Sequence, residues 1–228
     1  MSPALSQARG VCFDFNGVLV DDERHHCRSL IETLARHRLS LDTATYYRDY
    51  LGYDDAGCFR HAWAAAGRSL DPDELEALID QKGARYRELL ASDLTLVPGS
   101  VRFVRELVAR NIRLAVVSAA RRWEIEHVLG LAGIRECFVG VVAAEDVVHT
   151  KPHPEGYRRG LDLLELPAEC CVVVEDSIPG ARAGQGAGMR VAMVTTSHSR
   201  DDLLQAAPDV IWNDFVGRSP EELPWNPT

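Results

Sequence analysis

Asp14, Ser118, Glu175 and Asp176 each stand at the end of an apolar run, and Lys151 stands just before Pro152. Together they offer carboxylates, a hydroxyl and an ammonium. Two or three carboxylates with a backbone carbonyl are hard oxygen ligands that suit Mg²⁺, an ion that keeps its waters and binds phosphate as well. A hydroxyl, a Lys ammonium and backbone N–H groups complete a phosphate clamp. A carboxylate left free beside the cation can attack phosphorus and form an aspartyl phosphate, with cation and Lys screening the repulsion between nucleophile and phosphate oxygens. Taken singly, each group has a plainer role. Asp14 can cap a turn, Ser118 can form one, Lys151 can be solvated, and Glu175 with Asp176 can cap the helix expected near Pro179. Convergence is what favours chemistry, because the carboxyl ends of parallel strands lie side by side and ligands bind there.

That convergence requires the apolar runs to be strands of one sheet. Val11, Cys12 and Phe13 suit a buried parallel strand, and Gly17 after Asp14 and Asn16 allows a sharp turn or a close backbone approach. From residue 97 onward strand and helix patterns alternate. LAVVSA (114–119), FVGVVAA (138–144), CVVVED (171–176), RVAMVT (190–195) and DVIW (209–212) read as strands, with helices expected over 121–131, 153–165 and 179–187. Val97-Pro98-Gly99 reads as a turn before a helix carrying Val101, Val104, Leu107 and Val108. This alternation predicts an α/β fold, a doubly wound Rossmann-like parallel sheet with helices on both faces.

Residues 22–96 differ in texture. Cys27, Leu30, Ile31 and Leu34 mark a helix over 22–38, with Asp21 and Asp22 as candidate caps. A second runs over 42–51 to a stop at Gly52, and a third over 54–66 carries Phe59, Ala62, Trp63 and Ala66 on one stripe before Gly67. A fourth opens on Asp71 and Pro72 and buries Leu75, Leu78, Ile79, Tyr86 and Leu89. Four helices without a strand form an all-α unit inserted after the first strand. The expected organisation is a core of 1–21 and 97–228 with an insertion of 22–96, and a peripheral Pro-rich tail from Ser219.

The formal charge of −9 argues against nucleic acid as a partner, since phosphate backbones need a basic footprint. A small anionic substrate remains compatible, because a local pocket of Lys and N–H groups overcomes a modest global field. No stretch approaches the ~18 apolar residues of a membrane span, and the first ten residues lack the pattern of a signal peptide. Six cysteines without C-x-x-C spacing suit thiols of a reducing cytosol, with Cys12 and Cys137 expected in the core, so a cytoplasmic location is expected. The eight histidines show no H-E-x-x-H or comparable ligand spacing, and His149 is expected in a turn. The sequence assigns no oligomeric state.

Four segments in order, DFNGVLVDDE, VVSAAR, TKPHPEGY and VVVEDSIPGARAGQGAGM, resemble the motifs of the haloacid dehalogenase superfamily of hydrolases. The subgroup it looks like contains phosphoglycolate phosphatase-like and β-phosphoglucomutase-like enzymes, and the resemblance covers nearly the whole chain. It implies Asp14 as nucleophile, Ser118 and Lys151 as phosphate binders, and Asp14, Glu175, Asp176 and the main-chain carbonyl of Asn16 around Mg²⁺. It implies that 22–96 is a helical cap over the crevice, and that the substrate is a small phosphorylated metabolite.

One position departs from the pattern. The family's phosphatases carry a second Asp two residues after the nucleophile, which protonates the leaving oxygen and later deprotonates the attacking water; this chain has Asn16. An amide does not exchange a proton at neutral pH, and losing a positioned acid–base group typically costs about 10²–10⁴-fold in rate. A slow phosphohydrolase is therefore expected. The alternatives are a binder that traps a phosphorylated ligand, or another chemistry of the superfamily, dehalogenation or phosphonate hydrolysis. In the mutase branch a cap lysine and histidine serve the substrate, and Lys82, through K-x-x-x-Y ending at Tyr86, and His26 match them. Both read equally as solvated helix residues. The branch's substrate-binding arginine falls on Asp55, which argues against a bisphosphorylated sugar.

Overall fold

A computed structural model describes residues 9–51 and 53–226. The apolar runs become six parallel strands: β1 (Gly10–Phe13), β2 (Arg113–Val117), β3 (Gly140–Val142), β4 (Cys171–Glu175), β5 (Arg190–Val194) and β6 (Val210–Trp212). Their order is β3-β2-β1-β4-β5-β6. The chain thus winds outward in both directions from β1, and the reversal of direction leaves a crevice at the carboxyl ends of β1 and its neighbours. The register sets Phe13 beside Val116 on one side and Val174 on the other, so the residues after them emerge together.

The helices of this unit are α5 (Ser100–Ala109), α6 (Arg122–Leu131), α7 (Glu155–Leu164), α8 (Ile178–Gly186) and the short α9 (Arg200–Leu203). Strand side chains alternate between two apolar faces. Cys12, Ala115, Val117, Val173 and Met193 pack with Tyr157 and Leu164 of α7 and Ala181 of α8. Phe13 points the other way, to Phe138 and Phe215, and Phe103 of α5 joins that aromatic group. All of these are buried, each large side chain contributing roughly 1.5–3 kcal/mol relative to exposure.

A second compact unit, Asp22–Thr95, holds α1 (Glu23–Arg36), α2 (Thr43–Asp49), α3 (Asp55–Ala65) and α4 (Pro72–Ser92). Leu30, Leu34, Tyr46, Phe59, Trp63, Leu78 and Ile79 form its core. The side chains of Asp42, Asp54 and Asp71 accept from the backbone N–H three residues on and cap α2, α3 and α4. Asp22 stands at the start of α1 without capping it: its carboxylate accepts the Tyr86 hydroxyl instead.

Several expected features came out differently. The strand expected over 138–144 is shortened to Gly140–Val142, because single 3₁₀ turns at Arg135–Cys137 and Ala144–Asp146 close on either side of it. The tail is less peripheral than expected, since Pro220 and Leu223 are buried and Trp225 stacks on Arg9. Cys137 is half-buried rather than a core thiol, whereas Cys12 is fully buried. The expected helix stop at Gly52 lies outside the described residues.

Candidate functional site

β1 ends at Phe13, and Asp14 continues its ladder for one more bond, donating its backbone N–H to Val174 at 2.9 Å. The chain then folds into a tight loop in which the Gly17 N–H reaches the Val20 carbonyl at 2.7 Å and Leu19 donates to Phe15 at 2.8 Å. Gly17 has φ +73°, and a Cβ built there would collide with the Asp176 carboxylate and the Ser197 hydroxyl. Gly17→Ala is expected to cost at least about 1–2 kcal/mol from the left-handed backbone alone, with further loss from the displaced Asp176. Urea unfolding of the variant measures this; an unchanged midpoint would show that the loop tolerates a side chain.

The residues expected to converge do so within the sheet unit. Lys151 Nζ lies 2.6 Å from Asp14 Oδ1 and 2.6 Å from Glu175 Oε1, and donates to the Val117 carbonyl at 3.2 Å. It is therefore a paired ammonium and not the solvated one that its type alone suggests. Ser118 is buried just past β2; its N–H still reaches Val142 at 2.9 Å, and its Oγ accepts from the Ala120 N–H at 3.1 Å. Ser118, Thr150, Lys151 and Tyr157 line one small crevice.

Glu175 is fully buried, and five donors fix it. Oε1 accepts from Lys151 and from the Tyr157 hydroxyl at 2.8 Å, while Oε2 accepts from Asp176 N, Ser177 N and Ser177 Oγ at 3.0, 3.1 and 2.9 Å. α8 is capped by Ser177 rather than by the acidic pair, its Oγ accepting from Gly180 N at 3.1 Å. A Cβ at Gly180 would overlap the Glu175 carboxylate, so this close approach needs glycine. Asp176 takes the Ser197 hydroxyl on one carboxylate oxygen. Asn16 Nδ2 donates to Glu124 Oε1 at 3.4 Å, a long bond that turns the amide nitrogen toward that carboxylate.

Electrostatically the site is short of positive charge. Asp14, Glu175 and Asp176 can each bring a ligand oxygen within 4.8 Å of the others, against the Lys151 ammonium. Burial raises the Asp14 pKa to about 7 even though Lys151 opposes the shift. Burial, then the Glu175 and Asp14 charges, push Asp176 well up. Glu175 would rise on burial too, but Lys151 and its hydrogen bonds hold it below the usual range. The Lys151 amine would fall on burial, and the two carboxylates outweigh that and raise it. Three buried carboxylates sharing one ammonium is a donor set and a charge balance that fit a divalent cation with a preference for oxygen.

A family model for haloacid dehalogenase-like hydrolases matches residues 8–188. The chain belongs to this family. Protein CbbY of Rhodobacter capsulatus is 27% identical over 210 residues, which cover 88% of this chain and 91% of that protein. Hexitol phosphatase B of Escherichia coli is 26% identical, covering 95% and 97%. The crystal structure of an Asp-to-Asn mutant of CbbY from Rhodobacter sphaeroides in complex with xylulose-(1,5)bisphosphate has a TM-score of 0.82 at 26% identity, covering 92% of this chain and 96% of that one.

Lys82 and His26 of this hydrolase lie in the helical unit. Lys82 is buried rather than solvated, its Nζ 2.5 Å from Asp55 Oδ1 and 2.8 Å from His26 Nδ1. His26 stacks on Tyr86 at 4.4 Å, with Nε2 3.4 Å from Asp22 Oδ2. Sequence reasoning missed Tyr157, Ser177, Ser197 and Glu124. Three had a visible signal: Tyr157 ends the TKPHPEGY motif, Ser177 directly follows Asp176 in the VVVEDS segment, and Ser197 follows the carboxyl end of the strand beside β4. Glu124 had none, being a helix residue 108 positions from Asn16. Among the described residues no helix is long and apolar enough to cross a membrane.

Proposed function

We propose that this hydrolase is a Mg²⁺-dependent phosphatase for a small phosphorylated metabolite, working through an aspartyl phosphate at Asp14. The observation that carries this reading is the Lys151 bridge between Asp14 and Glu175, at 2.6 Å to each, inside a carboxylate cluster short of positive charge. Asp14, Asp176, Glu175 and the Asn16 carbonyl would hold the cation. When bound, Mg²⁺ supplies positive charge against the phosphate oxygens. Lys151 and Ser118 bind and orient the phosphoryl group, and Lys151 keeps Asp14 from repelling it. Asp14 attacks phosphorus, and the leaving oxygen departs with the bonding pair. Asn16 offers an amide where a proton donor to that oxygen would stand, so esters with good leaving groups are favoured and the acyl phosphate is hydrolysed slowly.

The six cysteines, all free thiols, support a cytosolic setting. We read the inserted helical unit as the cap that selects substrate. Within it Asp55 offsets the Lys82 charge, which supports a monophosphate over a bisphosphate. Asn16 also favours a second reading, a slow trap that keeps its phosphoryl group on Asp14.

A pH dependence follows from the cluster. Asp14 and Asp176 have folded-state pKa values raised above the unfolded range, so protonation stabilises the cation-free protein. That contribution is full at acid pH and is lost as pH rises through about 7, the value for Asp14. A cation needs the ionised forms and offsets the loss. At a free Mg²⁺ concentration roughly 100-fold above Kd, Tm is expected to rise by about 5–10 °C near pH 8 and far less near pH 6. No shift at either pH would remove the cation from the site, and equal shifts at both would show that it binds without displacing protons from Asp14 and Asp176. The activity test is phosphate release from p-nitrophenyl phosphate with Mg²⁺ or with chelator. Mg²⁺-dependent turnover is expected, and inactivity of both the native chain and Asn16→Asp would place the protein outside phosphatase chemistry.

A further inference from the structure

Against the expectation of no ligand-like histidine spacing, His149 and His153 stand at H-x-x-x-H, and folding brings a third donor to them on the segment that carries Lys151. His153 donates its N–H to the Thr150 carbonyl at 3.0 Å, and the Glu155 carboxylate reaches back to the N–H groups of Val148 and His149 at 3.1 and 3.0 Å. The segment closes on itself. His149 Nδ1 comes to rest 3.1 Å from Glu155 Oε2, and the two imidazole rings face each other at 4.6 Å. Donor atoms of His149, His153 and Glu155 all lie within 4.8 Å of one another.

From this convergence we propose that His149, His153 and Glu155 bind a transition-metal dication of the Zn²⁺ type, through ligands distinct from the buried carboxylate cluster, with both histidines lining the crevice that Ser118 and Lys151 also line. The ligand chemistry differs between the two. Imidazole nitrogen suits Zn²⁺, whereas an all-oxygen cluster suits Mg²⁺, so each site takes its own ion. The geometry is close to what the ion needs. Tetrahedral bonds of about 2.0–2.1 Å put neighbouring ligand atoms about 3.3 Å apart. The His149–Glu155 pair already stands near that spacing, and the cation replaces the hydrogen-bonded proton between them. His153 is exposed and its Nδ1 accepts a long bond from the Glu155 N–H at 3.3 Å, which the ion would replace as the ring turns to close the remaining gap. Glu155 needs no ordering, because two backbone amides and Arg159, at 2.9 Å from Oε1, already orient it. Those amides also keep its carboxyl down at about 2, so it is an anion throughout the working range. Three protein ligands leave the fourth position to water. Lys151 lies between the two histidines in the chain, so the bound ion would brace the segment that holds the amine.

Calorimetric titration of the full chain with Zn²⁺, under saturating Mg²⁺, tests the site. One Zn²⁺ per chain is expected, persisting in Asp176→Asn, with affinity at least about 10-fold weaker in His149→Ala and in His153→Ala. Both histidines are exposed, and circular dichroism checks that the variants fold. An isotherm unchanged in both histidine variants, or no Zn²⁺ uptake by the native chain, overturns the proposal. Neither readout depends on phosphatase activity.

Discussion

Asp14→Asn is expected to abolish phosphate-ester turnover, lowering kcat by about 10⁴-fold or more, because an amide oxygen cannot displace the leaving group. The shape is preserved and Lys151 keeps an oxygen partner, so the loss is chemical. The same substitution is expected to stabilise the cation-free protein. Asp14 is buried among two further carboxylates, and its pKa is raised to about 7, so above neutrality its ionised form is held against its preference. Removing that charge raises Tm near pH 8, with roughly 2–4 °C for each kcal/mol gained, and changes little near pH 6. Thermal denaturation at both pH values, beside the kinetic assay, separates this account from one in which Asp14 only braces the fold. In that case activity and stability would fall together.

Asn16→Asp is the second large effect, and it has the opposite sign. Hydrolysis of an unactivated alkyl phosphate is expected to accelerate by about 10²–10⁴-fold, since the variant gains a group able to protonate the leaving oxygen and then deprotonate water. For the first step with p-nitrophenyl phosphate the gain is expected to be under about tenfold, because that leaving group departs without a proton. The neighbour sharpens the prediction. The amide now donates to Glu124 at 3.4 Å, so the introduced carboxyl would meet a carboxylate there. Like charges at that range favour holding one proton, the state a general acid needs. The rate on alkyl phosphates should therefore persist above the ordinary carboxylate range in a pH–rate profile. Equal acceleration of both substrate types would show that Asn16 limits a different step.

How far the sequence disclosed this site depends on the range of the interaction. Asp14, Ser118 and Glu175 were legible as neighbours because buried parallel strands read as apolar runs, and their carboxyl ends are adjacent by construction. Asp71 and Pro72 marked the start of α4 because capping is local chemistry. Pairings across the fold carried no such signal. For Lys82 a solvated role stood level with a substrate role because Asp55, its half-buried partner, is 27 residues away on another helix. Asp22 looked like a cap because the Tyr86 hydroxyl that claims it comes from 64 residues on. His149 and His153 stand four apart, a helical spacing, but Pro152 and Pro154 bar a helix there and an irregular loop brings them to Glu155.

The most direct test is the mass of the intact protein after incubation with acetyl phosphate and Mg²⁺. If Asp14 is the nucleophile and Asn16 stands where a proton-transfer group is needed, as proposed, the chain is expected to gain one phosphoryl group on Asp14. Peptide mapping should place it there, Asp14→Asn should lose it, and Asn16→Asp should shorten its lifetime. A phosphoryl group on another residue, or one that persists in Asp14→Asn, would contradict the account.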